Sequence, residues 1–242
     1  MQPYLVVLFV ILGSAHVNEH ITMVFQKISP FRRRPSCPQN KGKLPDVDDA
    51  MRLKFLKMHN RYRSKLALGH VRIVNDEKYE DSYDQSLYAH RASKMRELEY
   101  DCKAELRAYK SAEKCSTTAS PTRKYDENLH VIENRSEVTD VVSEAINAWS
   151  KEAFTLNQTE EGTPYHSYRN ISNFANMVWD THVKVGCAVV TCDSGKTHVV
   201  CRYTPRLNEK KESIYTVGLP CTGCSPEFFC HRDVGLCENT TP

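Results

Sequence analysis

Val185-Gly186-Cys187-Ala188-Val189-Val190-Thr191 and Thr197-His198-Val199-Val200-Cys201-Arg202-Tyr203 are two β-branched runs joined by the polar, glycine-containing link Cys192-Asp193-Ser194-Gly195-Lys196. Branched side chains suit a pleated surface, and a short polar link between two such runs reads as a β-hairpin. Upstream the period changes. Met51, Phe55, Met58, Tyr62 and Leu66 recur at intervals of four and three, which places them on one helical face, with Arg52, Lys54, Lys57 and Arg61 pointing elsewhere. Asp46, Asp48 and Asp49 suit the start of that helix, and Gly69 ends it. Residues 75–84 carry Asp76, Glu77, Glu80, Asp81 and Asp84 with little apolar content and read as an exposed acidic loop.

Helical character resumes from about Leu87, and Ala104–Cys115 is rich in helix formers. Cys102 and Cys115 are expected to staple the two ends of that segment to other parts of the chain. Val138, Val141, Val142, Ala145, Ile146 and Trp149 make a third helical face, with Glu137 and Asp140 in its first turn complementing the helix dipole. Helices early and paired strands late argue for an α+β layered fold. The last 35 residues hold four cysteines and too few apolar side chains for a core of their own. No internal repeat is visible.

The N-terminus speaks to compartment. Leu5–Leu12 is an apolar run followed by Gly13, Ser14 and Ala15, which reads as a signal peptide over residues 1–17, cleaved between Ala15 and Asn18. The run is far below the roughly 20 apolar residues of a membrane-spanning helix, so no membrane insertion is expected. Ten cysteines lie downstream, at 37, 102, 115, 187, 192, 201, 221, 224, 230 and 237. An even set behind an export signal implies a disulfide framework, though spacing alone leaves the pairing open. Asn134, Asn157, Asn170 and Asn239 each open a glycosylation sequon, in keeping with a secreted, extracellular glycoprotein.

A net charge of +3 is small for 242 residues and argues against a nucleic-acid partner. The basic run Arg32-Arg33-Arg34 lies among prolines in a segment expected to be a solvated extension. His59, His70, His90, His130, His166, His182, His198 and His231 form no HExxH pair and no ligand-spaced cluster, so they read as surface or core residues. Oxidised cysteines are poor nucleophiles.

Several ordered motifs carry a resemblance. Ser172-Asn173-Phe174-Ala175-Asn176-Met177-Val178-Trp179 followed by Val185-Gly186-Cys187, together with His59–Ala67, Tyr125-Asp126-Glu127-Asn128-Leu129 and Cys201-Arg202-Tyr203-Thr204-Pro205, resembles the signature set of the CAP superfamily of venom allergens and nematode secreted proteins. The resemblance implies an α-β-α sandwich over residues 48–208, with an antiparallel sheet between helical layers. It also implies an N-terminal extension over 18–47 and a small cysteine-rich, hinge-like tail over 209–242. Within that frame Cys102, Cys115, Cys187, Cys192 and Cys201 would staple the sandwich, and Cys221, Cys224, Cys230 and Cys237 would brace the tail separately.

Many members of the superfamily hold two histidines and two glutamates in a cleft that binds a divalent metal. Here Glu127 and Glu152 match the glutamates, but Ala119 and Asn173 stand at the histidine positions. Loss of both imidazoles removes the borderline-soft ligands and the usual general base, so neither a metal, a cofactor nor catalysis is expected. Strings such as Tyr62–His70, Arg91–Arg96, Leu98–Cys102 and Ile171–Asn176 are similar to the branch of hookworm integrin antagonists typified by neutrophil inhibitory factor. That implies a host leukocyte integrin of β2 type as partner, bound at the inserted domain of its α subunit, and blockade of neutrophil adhesion. An integrin metal accepts a carboxylate oxygen, which makes Asp76, Glu77, Glu80, Asp81 and Asp84 the candidate contacts. No Arg-Gly-Asp or Lys-Gly-Asp occurs, which counts mildly against a platelet integrin. The alternatives are antagonism of a platelet integrin and carriage of a sterol or fatty acid.

Overall fold

The computed structural model describes residues 35–44, 47–75, 84–134, 140–160, 162–207 and 213–240. The chain divides into Met1–Arg34 and Pro35–Pro242, and every described residue belongs to the second unit. The expected signal peptide and arginine run lie outside the described residues. In chain order the elements are α1 (Asp49–Ala67), β1 (Glu99–Tyr100), α2 (Cys102–Ala112), β2 (Asp126–Ile132), α3 (Val141–Lys151), α4 (Ser172–Val178), β3 (Lys184–Thr191), β4 (Thr197–Thr204), β5 (Phe228–His231) and β6 (Leu236–Asn239).

The β-branched runs form the expected hairpin, β3 and β4, in register from Lys184 opposite Thr204 to Thr191 opposite Thr197. The sheet order is β1-β3-β4-β2. β2 pairs antiparallel with β4, while the two-residue edge strand β1 runs parallel to β3. Val185, Cys187, Val189, Val199, Cys201 and Tyr203 face a large core shared with α1, α3 and α4. Ala188 and Val200 face a smaller one with Ala108 and Ala112 of α2 and with Leu44 and Val47. Burial on both faces explains why the runs are continuously apolar instead of alternating. The result is the α-β-α sandwich. α2 lies directly on the sheet at Gly186, where a Cβ would stand 2.2 Å from the Glu105 nitrogen and 2.4 Å from the Asp101 oxygen, so no side chain fits.

Asp48 caps α1 by accepting from the Met51 N–H, and Gly69, at φ +77°, ends it. Phe55 and Leu66 are fully buried, with Met51, Met58 and Tyr62 at the rim of the core. Arg52 departs from expectation. It is buried, and its Nε donates to Glu105 Oε1 at 2.5 Å, while Asn40 donates to Oε2 at 2.6 Å. Arg63 is buried too, and its guanidinium donates to the carbonyls of Arg96, Met177 and Trp179 at 2.8–2.9 Å, closing the C-terminal end of α4. Asp140 caps α3 through the Ser143 N–H, whereas Glu137 and Val138 lie outside the described residues.

Helical character does not resume at Leu87. After a single 3₁₀ turn at Gln85–Leu87 the chain is extended to β1. Its backbone is taken by distant partners: Ala89 donates to Val71, Ser93 to Thr216 and Glu97 to Cys237. Ala89, Ala92, Met95 and Leu98 are all fully buried, so a spacing of three here marks the inward side of an extended strap.

All ten cysteines are paired, in five disulfides: Cys37–Cys102, Cys115–Cys192, Cys187–Cys201, Cys221–Cys230 and Cys224–Cys237. The two ends of α2 are stapled as expected, one to the N-terminal segment and one to the β-hairpin link. Loops of 65 and 77 residues are closed this way, each removing about 4 kcal/mol of unfolded-chain entropy in the loop-closure account. The tail has its own two bridges but is not independent. Ile214, Tyr215 and Leu236 belong to the large core, and Cys237 accepts from Glu97 and donates to Met95.

Candidate functional site

Glu127 is the second residue of the edge strand β2 and stands directly opposite Arg202 of β4. Arg202 Nε donates to its Oε2 at 2.6 Å, and Oε1 accepts from Ser111 Oγ at 2.9 Å and from the Ser120 N–H at 2.8 Å. The carboxylate is buried and every strong acceptor site has a protein donor. Ala119, exposed beside Ser120, adds none.

Glu152 lies just past α3 and serves α4. Its Oε2 accepts from the Phe174 N–H at 2.9 Å and its Oε1 from Asn173 Nδ2 at 2.6 Å. α4 has no side-chain cap of its own at Ile171, so Glu152 supplies the acceptor and a negative charge at the helix start. Burial pushes the Glu152 carboxyl above the usual range, and the Phe174 and Asn173 hydrogen bonds pull it partly back.

Asn128 and Asn176 tie the Asn173 backbone to the strand that carries Glu127. Asn128 Nδ2 donates to the Asn173 carbonyl at 2.9 Å, and Asn128 Oδ1 accepts from Asn176 Nδ2 at 2.9 Å. Asn128 also donates to the Tyr203 hydroxyl at 3.1 Å, which lies 2.8 Å from His59 Nε2. His59 Nδ1 faces the Phe55 carbonyl at 2.8 Å, which assigns the proton to Nδ1 and leaves Nε2 to accept from Tyr203. Burial, reinforced by the Arg63 charge, pushes His59 down to about 4. His182 stacks on the Tyr203 ring, with Nδ1 on the Asn176 carbonyl and Nε2 3.3 Å from Asp126. Both histidines are buried and hydrogen-bonded core residues.

A divalent metal does not fit this cleft. One carboxylate is neutralised by Arg202, the other caps a helix, and an alanine and an amide stand where imidazoles are needed. Among the described residues two other groups bring three ligand-type side chains within 4.8 Å. Cys221, Cys224 and Cys230 are all disulfide-bonded and offer no thiolate. Glu97, His231 and Glu238 have ligand types suited to a zinc-like ion, with His231 hydrogen-bonded to Glu238.

Of the acidic loop, Asp76, Glu77, Glu80 and Asp81 lie outside the described residues. Asp84 is exposed and accepts from the Ser86 N–H at 2.9 Å, which holds its carboxyl below the usual range and caps the 3₁₀ turn. Asn134, Asn170 and Asn239 are exposed and Asn157 is half-buried. Arg202 and Ser111, which complete the Glu127 site, carry no signal of that role in the sequence. The β2–β4 register that pairs Glu127 with Arg202 joins positions 75 residues apart.

Comparison with known proteins agrees with this geometry. The profile of the Cysteine-rich secretory protein family, CAP, matches residues 56–203. Hookworm platelet inhibitor 1 of Ancylostoma caninum is 37% identical over 225 residues, spanning 93% of this chain and 90% of the relative. The crystal structure of hookworm platelet inhibitor superposes with a TM-score of 0.62 at 37% identity, covering 81% of this chain and 94% of that one. Ancylostoma secreted protein, also from A. caninum, is 32% identical, matching 84% of this chain but 46% of the relative. NaASP2, solved with Zn2+, superposes at a TM-score of 0.66 with 29% identity, over 80% of this chain and 99% of that one. The chain belongs to the CAP family of cysteine-rich secretory proteins, and its relatives are secreted parasite and venom proteins.

Proposed function

We propose that the protein is exported through residues 1–17 and acts as an antagonist of host platelet adhesion by occupying a platelet integrin. The supporting observation is the likeness to hookworm platelet inhibitor 1, which extends over nearly the whole of both chains and is not confined to the family motifs. This reverses the order of the two integrin readings drawn from the sequence, where the leukocyte receptor came first. The work is binding. The two cleft carboxylates are already engaged, Glu127 by Arg202 and Glu152 by the start of α4, and five disulfides hold a surface rigid enough to meet a partner with little ordering cost.

The test uses disulfide-intact, glycosylated protein in parallel adhesion assays, platelets on fibrinogen and collagen and neutrophils on a β2-integrin ligand. Dose-dependent loss of platelet adhesion with neutrophils spared supports the reading. Loss of neutrophil adhesion alone would restore the leukocyte integrin as the target.

A further inference from the structure

A cavity of about 480 Å3 opens between the outer face of α2 and the strand lead-in at residues 122–125. Lys103, Arg107 and Lys110 line one wall at helical spacings of four and three, and Arg123 and Lys124 line the other. All five are exposed. Among the described residues no carboxylate lines the cavity, and none lies in ion-pair reach of these five. Arg202 forms part of the lining, but its charge is matched by Glu127.

Five cations in one cavity, with no counter-charge among the described residues, exceed the net charge of the whole chain, +3. Like charges stacked along one stripe of a helix repel and destabilise it, and a concave wall concentrates the positive field instead of dispersing it. Such an arrangement fits an anionic ligand that presents several negative groups along its length. A single-stranded nucleic acid would need an exposed aromatic platform for its bases. The one aromatic in the lining, Tyr125, is buried, with Lys124 Nζ 5.5 Å and Arg202 Cζ 5.9 Å from its ring centre. Five disulfides belong to the oxidising extracellular space, where the abundant polyanions are sulfated.

We infer that this cavity is a binding site for sulfated polysaccharide, with Arg107 and Lys110 on one wall and Arg123 and Lys124 on the other contacting successive sulfate groups. The site would hold the protein at glycan-coated surfaces and is separate from the platelet reading, since it is measured without any cell or receptor.

The experiment is a titration of the full protein with heparin, with fully desulfated heparin, oligodeoxythymidylate and phosphatidylserine vesicles as comparison arms. Arg107→Glu with Lys110→Glu is expected to weaken heparin binding about tenfold, from two attractions turned to repulsions. Lys57→Glu with Arg61→Glu, exposed on α1, makes the same change in net charge and is expected to stay within about twofold of the parent. Unchanged melting temperatures in both variants exclude misfolding as the cause. Equal weakening in the two variants, equal binding of desulfated heparin, or DNA or vesicles bound as tightly as heparin would overturn the site.

Discussion

Two polar regions flank the same ion pair and behave in opposite ways. On one side of Arg202, Glu127 and its neighbours form a buried network in which carboxylates, amides and imidazoles are met by protein donors and acceptors. On the other side, five cations line a cavity with no described counter-charge. Buried polar groups stabilise only when partnered, so the first region specifies shape. Exposed like charges cost stability when left together, so the second is the one suited to an outside partner.

Arg202 joins the two regions, and breaking it should have the largest effect. Arg202→Ala leaves Glu127 buried and unpaired, an expected loss of about 3–5 kcal/mol in unfolding free energy measured by urea titration. Removing both partners with Glu127→Leu and Arg202→Met should recover much of that loss. A double variant as unstable as the single one would mean that Glu127 is not held by this pair.

The buried side can also be stressed by acid. His59 takes up its proton near pH 4 in the folded protein but near 6.5 when unfolded, so the unfolded state is favoured as pH falls from 6.5 towards 4. The shift corresponds to about 3 kcal/mol over that window. Wild-type stability should therefore drop more than that of His59→Gln between pH 7.5 and pH 4.5; parallel curves for the two proteins would remove His59 from the account.

Smaller effects are expected where alternatives remain. Glu152→Gln keeps an acceptor for the Phe174 N–H but loses the charge at the start of α4, an expected cost of about 1 kcal/mol by thermal unfolding. A loss several times larger would point to a further role for that carboxylate. Charge reversal at Arg107 and Lys110 should change stability by less than about 0.5 kcal/mol, because both are exposed, while changing glycan binding strongly.

The hairpin, α1 and the helical stretches of α2 and α3 were legible because their patterns are local: β-branched runs, a helical face, Asp48 and Asp140 at helix starts. The strap from Tyr88 to Leu98 was not, because its hydrogen bonds go to Val71, Thr216 and Cys237, and a sequence window contains none of the latter two. The acidic cleft positions were legible from the motif, and their partners were not. Arg52, read as outward-facing, went inward where the fold supplied a match at Glu105, and Arg63, to which the sequence assigned no direction, is buried at the end of α4. The cationic cavity was hidden for a different reason. A near-balanced total conceals a local excess, and one wall lies in a loop that only the fold brings to α2.

The most direct test of the platelet reading is surface plasmon resonance of the disulfide-intact protein against purified platelet integrins and a β2 integrin inserted domain, each with Mg2+ and with chelator. Saturable, Mg2+-dependent binding to a platelet integrin, with weaker or no binding to the β2 domain, is the predicted result. Binding to the β2 domain alone, or to no integrin, would contradict it.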